Sequence, residues 1–260
     1  MDFKPKLMAF DLDGTLAESK QRLSADMGEQ FAELLEVMPA AILSGAGFDQ
    51  FENQFLPALP AEAKLEKLFL FPTNGAECMI YKDGVWKAKY DLSFNLMERG
   101  RIMQALKESL AESGLSTIPE YTEEWGNQIE DRGAQITFSA LGQKAPIEIK
   151  RAWDPNRTKR KPLYDALKRR LPDFSIGLNA STSIDITKKG VNKAYGIRKL
   201  IELTGISVSE MLYVGDALEE GGNDSVVVQT GIKTHEVFGP DETARLIGEI
   251  LRTTRHMATA

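Results

Sequence analysis

The stretch LMAFDLDGTL, Leu7 to Leu16, sets two aspartates, Asp11 and Asp13, at alternate positions directly behind a short apolar run. A short apolar run with these flanks reads as a buried strand, the kind found in a parallel sheet covered by helices. In an open parallel sheet, ligands bind outside the carboxyl ends of the strands. Asp11 stands at such an end. Two further apolar runs finish the same way: AAILS ends on Ser44 and MLYVGD on Asp216. Any one of these residues could simply cap the turn that follows it. Together, three strands bring two carboxylates and a hydroxyl to one sheet edge.

Around this edge the chain alternates. Ser24 to Met38 reads as an amphipathic helix, with Met27, Phe31, Leu34, Leu35 and Met38 on one face and Pro39 as its stop. KLFLFP (67–72) is a strand, and ECMIYKDGVWKAKY (77–90) reads as a hairpin around Asp83-Gly84. The texture then changes. A long helix of mixed charge covers 94–113, ITFSAL (136–141) alternates as a strand, a basic helix covers 156–170, and FSIGLNASTSIDIT (174–187) reads as two short strands. Near Gly190 the helix–strand alternation returns: NKAYGIRKLIELTG is a helix, MLYVGDA a strand, and Glu242 to Arg252 the closing helix. The expected fold is α/β: a Rossmann-like parallel-sheet core of residues 1–83 and 186–260, split by an inserted α+β cap at 84–185.

Composition narrows the chemistry. The formal net charge of −6 argues against nucleic acid or anionic membrane as a general partner. No apolar run has the length of a membrane-spanning helix, and the N-terminus is too short in apolar residues for a signal peptide. A soluble, cytoplasmic protein is expected, and the single cysteine, Cys78, excludes an intrachain disulfide. With only two histidines, a zinc site built from several His and Cys is excluded and a Ser-His triad is disfavoured. Carboxylates, lysines and hydroxyls must do the work.

Those groups suit phosphoryl transfer. A carboxylate such as Asp11 can attack phosphorus and form an aspartyl-phosphate. Its own charge repels the phosphoryl group, so a cation is needed, and Mg²⁺ favours carboxylate and carbonyl oxygens. Asp11, Asp216 and the backbone carbonyl of Asp13 are the candidate ligands. Gly221 and Gly222 permit a tight loop that returns Asn223 and Asp224 beside them. The Asp13 side chain, curling past Gly14, would protonate the leaving oxygen and later activate water. Ser44, with Gly45 on the substrate side, would hydrogen-bond the transferring phosphoryl oxygens, and Lys193 would neutralise both phosphoryl group and Asp11.

DLDGT, the Ser-Gly strand end, the lysine at 193 and GD…GGND resemble, in this order, the four motifs of the haloacid dehalogenase (HAD) superfamily. The insert lies between the second and third motifs, as in the subclass with large α+β caps. That resemblance implies a nucleophile at Asp11, a general acid/base at Asp13 and loop support from Thr15. NGAE…YKDG, the ITF strand, S-I-D (183–185), G-V-N-K and the segment TGIKTHEVFGPDET (230–243) further resemble eukaryotic-type phosphomannomutases.

A mutase must hold a second phosphate on its cap, a task suited to arginines. Counting along the family pattern from the ITF strand places those positions at Ser139, Lys150 and Arg157: one arginine kept, one changed to lysine, one lost. Ser183 and Asp185 match the family's phosphate-contacting serine and sugar-contacting aspartate. The loss at Ser139 favours hydrolysis of a phosphorylated sugar as the first reading. The alternative is a phosphomannomutase working through a hexose bisphosphate, with Lys150, Arg157 and Ser183 on the distal phosphate. A non-catalytic sugar-phosphate sensor is the third. The resemblance leaves room for a homodimer through the cap. Trp125, Trp153 and Cys78 are expected in apolar cores, without catalytic roles.

Overall fold

A computed structural model describes residues 3–179 and 181–258, without the side chains of 255–258. Its strands are β1 (Leu7–Phe10), β2 (Ala40–Leu43), β3 (Leu68–Phe71), β4 (Glu77–Lys82), β5 (Val85–Asp91), β6 (Ile129–Asp131), β7 (Gln135–Ser139), β8 (Phe174–Asn179), β9 (Ser183–Lys188), β10 (Met211–Gly215) and β11 (Lys233–Glu236). They form a seven-stranded sheet, ordered β11-β10-β1-β2-β3-β4-β5, and a four-stranded sheet, ordered β6-β7-β9-β8. The chain divides into one unit of Met1–Tyr90 with Lys193–Ala260 and a second of Asp91–Asn192. Both divisions fall seven residues beyond the expected 84 and 185 (91 − 84 and 192 − 185). The physical reason at the first is the hairpin: β5 stays paired to β4 as the edge of the large sheet, so the chain leaves the core only after Tyr90.

In the first unit, β11, β10, β1, β2 and β3 run parallel, and β4 returns antiparallel. Alternate side chains of each central strand enter opposite layers. Met8, Phe10, Ala40 and Ile42 pack with Phe31, Leu34 and Leu35 of helix Ala25–Val37 and with Ile247 and Leu251 of helix Pro240–Ala258. Leu7, Ala9, Ala41 and Leu43 pack with Ile197 and Leu200 of helix Lys193–Thr204. Burial on both faces is why these strands show no polar alternation. Ser24 caps the first helix, its hydroxyl accepting the Met27 N–H, where the sequence pattern places the start.

In the second unit the sheet is antiparallel and two-faced. Ile136, Phe138, Ile184 and Ile186 pack on Ile102 and Leu106 of helix Leu96–Ser113 and on Leu163 and Leu167 of helix Lys161–Arg170. Gln135, Thr137 and Ser139 of β7 face the other way, in register with Thr187, Asp185 and Ser183 of β9. Trp153 lies in this unit's core and Trp125 packs against it, as expected. The basic helix is shorter than its charge pattern suggests. It begins at Lys161, because the preceding residues wrap around the buried Asp154–Arg160 ion pair.

Candidate active site

The register of the parallel strands decides what meets at their carboxyl ends. Phe10 is level with Val214 and Ile42, so Asp11, Asp216 and Ser44 follow on neighbouring strands. The Asp11 N–H donates to the Val214 carbonyl at 2.9 Å, and the Ser44 N–H to the Phe71 carbonyl at 3.1 Å. The Ser44 side chain is buried, and its Oγ accepts the Ala46 N–H at 3.1 Å. Gly45 lies between them, half-buried.

Lys193 opens the helix that returns from the second unit and is 1% exposed. Its Nζ donates to Asp11 Oδ1 at 2.6 Å and to Asp224 Oδ1 at 2.6 Å. Lys188 and Lys189, near it in sequence, are engaged elsewhere: the first pairs with Glu98, the second donates to the Pro172 carbonyl. The Tyr213 hydroxyl also donates to Asp224 Oδ1 at 2.6 Å, and the Ala217 N–H reaches Asp224 Oδ2 at 3.4 Å. Tyr213 is a residue that sequence reasoning missed. It lies inside an apolar strand run, where an aromatic residue reads as core.

Asp11, Asp216 and Asp224 each offer a carboxylate oxygen within 4.8 Å of the others. Three carboxylates against one ammonium leave two negative charges, the complement of a divalent cation, and all the donors are hard oxygens. The titration behaviour agrees. Burial pushes Asp11 well above the ordinary carboxylate range; Lys193 pulls it back, while Asp224 and Asp216 push it further up. Asp216, the exposed member of the three, rises to about 6, through partial desolvation of its carboxylate and then the Asp224 charge, with Lys193 opposing. Burial works against the Lys193 charge, but Asp11 and Asp224 outweigh it and raise this ammonium above its usual value. The carboxylates therefore repel one another beyond what Lys193 neutralises.

The loop glycines are where close approach requires them. Gly14, at φ +87°, passes so near Asp216 that a Cβ there would stand 2.3 Å from Oδ2. That brings the Asp13–Gly14 backbone into contact with the acidic group. Gly222 is equally tight, with a hypothetical Cβ 2.0 Å from the Ala217 carbonyl. Asn223, beside it, is half-buried. The Asp13 carboxylate turns to Lys20 N, Gln50 and Gln54 instead. Thr15 is fully buried, and its carbonyl accepts the Thr243 hydroxyl at 2.7 Å, tying the first loop to the closing helix.

A match to the model of the haloacid dehalogenase-like hydrolases spans residues 8–224. The chain belongs to that family. It is an enzyme of the HAD phosphohydrolase or phosphohexomutase type. A phosphomannomutase of Spinacia oleracea is 24% identical over 98% of this chain and 100% of its own length. One of Encephalitozoon cuniculi is 26% identical over 95% and 93%, and one of Saccharomyces cerevisiae 25% identical over 95% of each. Among solved structures, a haloacid dehalogenase-like hydrolase from Bacteroides thetaiotaomicron superposes with a TM-score of 0.63 at 16% identity, covering 95% of this chain and all of that one. The IMP-bound IMP-nucleotidase of Plasmodium falciparum gives 0.64 at 14%, covering 96% of this chain and 68% of that one. These two likenesses concern the fold.

Within the second unit, the expected distal-phosphate residues separate. Ser139 is buried, and its hydroxyl bonds to the Gly142 carbonyl and to Thr182, so it faces a turn of its own unit. Arg157 lies in a loop at φ +58°. Lys150 donates to the Gln143 carbonyl at 2.7 Å, and Arg132 approaches Gln143 Oε1 at 3.4 Å while pairing with Glu130 at 2.7 Å. Lys150 thus reaches the main-chain carbonyl of Gln143 and Arg132 its side-chain oxygen, and Arg132 is a residue the sequence reading did not single out. It follows β6 in a turn, where an arginine reads as a solvated surface charge. Asp185 is buried and accepts hydrogen bonds from Thr137 at 2.8 Å and Asn179 at 2.6 Å. Ser183, half-buried, pairs between Ser139 and Asn179.

Proposed function

We propose that this enzyme is a phosphohexose mutase of the phosphomannomutase type, transferring a phosphoryl group between positions of a hexose phosphate through Asp11. The observation that carries the reading is the buried Lys193 bridge between Asp11 and Asp224, beside Asp216. Asp11 attacks phosphorus; its Oδ–P bond forms as the bond to the sugar oxygen breaks. Asp13 delivers a proton to that oxygen and later takes one from the accepting hydroxyl. Ser44 holds a phosphoryl oxygen with its hydroxyl hydrogen, while Lys193 offsets the charge gathering at the transferring group. Asp11, the Asp13 carbonyl, Asp216, Asp224 and, through water, Asn223 would hold Mg²⁺. When bound, that ion supplies charge neutralisation at the phosphoryl oxygens.

The serine at position 139, where the family pattern has an arginine, favours hydrolysis, but its hydroxyl is spent on the Gly142 carbonyl and Thr182, so it bears on the distal phosphate only through what it lacks. Lys150, Arg157 and Ser183 are the cap residues left to hold that phosphate, with Asp185 for a sugar hydroxyl. The full-length likeness to three phosphomannomutases supports the mutase reading. Hydrolysis remains the second reading because one of the three arginines of the family pattern is a serine here and another a lysine. Mannose 1-phosphate with a trace of glucose 1,6-bisphosphate and Mg²⁺ separates them. Mannose 6-phosphate without stoichiometric free phosphate is expected. Free phosphate without the 6-phosphate ester would replace the mutase reading with a phosphatase, and loss of neither activity in Asp11→Asn would sink both.

A further inference from the structure

Asp13 is held by a ring of hydrogen bonds that its assigned chemistry does not require. Gln50 Nε2 donates to Asp13 Oδ2 at 3.1 Å and to Gln54 Oε1 at 2.5 Å. Gln54 Nε2 donates to Asp13 Oδ1 at 3.3 Å, which closes the ring. The Lys20 N–H adds a fourth bond, to Oδ1, at 2.5 Å.

This ring has one consistent orientation. Turning the Gln54 amide over would set its oxygen against the carboxylate and its NH2 against the Gln50 NH2. Turning the Gln50 amide over would set one oxygen against two others. Both amides therefore present nitrogen to Asp13, and each fixes the other. Oδ1 takes two donors and Oδ2 takes one, so Oδ2 is the oxygen with a lone pair left to carry a proton.

The scaffold beneath the ring is closely packed. Gln50 and Gln54 flank Phe51 and Phe55, both fully buried in the core layer that also holds Phe31. Phe55 meets Phe31 edge-to-face at 5.1 Å between centroids. The backbone over Phe51–Phe55 is a π-helical turn, a rare geometry that concentrates at functional sites. The Gln54 carbonyl accepts the Leu23 N–H at 2.9 Å, tying this turn to the segment after the Asp13 loop. Lys20 adopts φ +58°, a conformation that non-glycine residues seldom take, and its amide points at the carboxylate. Gln54 itself is 4% exposed and spends its amide nitrogen on Asp13.

We infer that Gln50 and Gln54 are positioning residues for the acid/base step: they hold the Asp13 carboxylate in one orientation, with Oδ2 the oxygen left to carry the proton to or from the phosphoryl group's sugar oxygen. The inference rests on the reading of Asp13 as proton donor. In that step the P–O(sugar) bond breaks, the P–O bond to Asp11 forms, and the Oδ2 proton goes to the sugar oxygen, leaving a hydroxyl. Misplacing the donor slows only transfers whose leaving group needs the proton.

Two phosphoryl donors separate positioning from a structural role. Glucose 1,6-bisphosphate releases a sugar alkoxide that must be protonated; p-nitrophenyl phosphate releases a stable nitrophenolate. First-turnover phosphorylation of Asp11 is measured by quenched flow at saturating donor, in Gln50→Met, Gln54→Met and Asp13→Asn. In the glutamine variants the bisphosphate rate is expected to fall about 10- to 100-fold, and at least tenfold more than the nitrophenyl rate, with KM little changed. Equal losses on both donors, or no loss, would overturn the inference. Should the buried Gln54→Met fail to fold, the half-buried Gln50→Met carries the same comparison. Asp13→Asn tells the two failures apart. If it slows bisphosphate transfer and the glutamine variants do not, only the positioning role falls; if it slows nothing, the acid/base reading falls with it.

Discussion

Replacing Lys193 by methionine tests the charge balance at the centre of the site. Methionine keeps much of the apolar stem and removes the ammonium. Asp11 and Asp224 each lose a 2.6 Å partner in a place where Lys193 is 1% exposed, so water cannot substitute for it. Breaking a buried ion pair by removing one member costs about 3–5 kcal/mol. At a urea m-value of about 3 kcal/mol per M, the midpoint falls by about 1–1.7 M near pH 7.5. The loss is pH-dependent, with a definite sign. Asp11 is already raised in the folded wild type, and without Lys193 it rises further. A carboxyl group with a raised folded value binds more protons folded than unfolded, so stability falls as pH climbs through that window. The extra penalty in Lys193→Met therefore grows as pH rises and shrinks as pH falls toward the ordinary carboxylate range. Adding Asp224→Asn to the variant recovers part of the loss at neutral pH, because one of the facing charges is gone. Urea titrations of the three proteins at pH 5.5 and 8 make the measurement. A midpoint loss below about 0.3 M, identical at both pH values, would show that Lys193 does not balance these carboxylates, and the phosphoryl-transfer geometry would need another explanation.

Mg²⁺ at one hundred times its dissociation constant should stabilise the wild type by about 2.7 kcal/mol, seen as a raised melting temperature, and should leave Asp216→Asn nearly unmoved. EDTA should reverse the shift. In the cap, Arg160→Met should cost about 3–5 kcal/mol, since Arg160 is fully buried, pairs with Asp154 at 2.8 Å and donates to the Asn179 and Ser183 carbonyls; urea unfolding followed through Trp153 reads it. Burial pushes the Cys78 thiol up to about 12, so almost no thiolate exists at pH 8. Labelling of native protein by a disulfide reagent should be far slower than labelling in denaturant, and should gain speed with pH only as the fold opens.

How much of this was readable from residues alone follows the range of the interactions involved. The parallel core was legible because strands buried on both faces must be apolar throughout, and the polar residue that ends each run marks the edge where ligands bind. Asp11, Ser44 and Asp216 stand out that way as candidates, and Lys193 by its place at the start of a returning helix. The end of β5 was not legible: a hairpin carries the same signal whether it closes a core sheet or opens a cap, and only pairing with β4 decides. Gln50 and Gln54 gave no signal at all. An amide four residues from another on a helical turn is ordinary, and its meaning comes from Asp13, at sequence separations of 37 and 41.

In the cap, the burial and partners of a side chain add what counting along a motif leaves out. Spacings of eleven and seven residues, laid from the end of β7, reach Ser139, Lys150 and Arg157. Along a strand the side chains alternate between the helix-covered face and the polar face. Ser139 is on the polar face, but its hydroxyl is consumed by Gly142 and Thr182. Lys150 spends a hydrogen bond on the Gln143 carbonyl, and Arg157 lies in a loop at φ +58°. A count of cations along the chain therefore does not by itself read a phosphate site, since two charges aimed at one point bind a phosphate and two aimed apart do not.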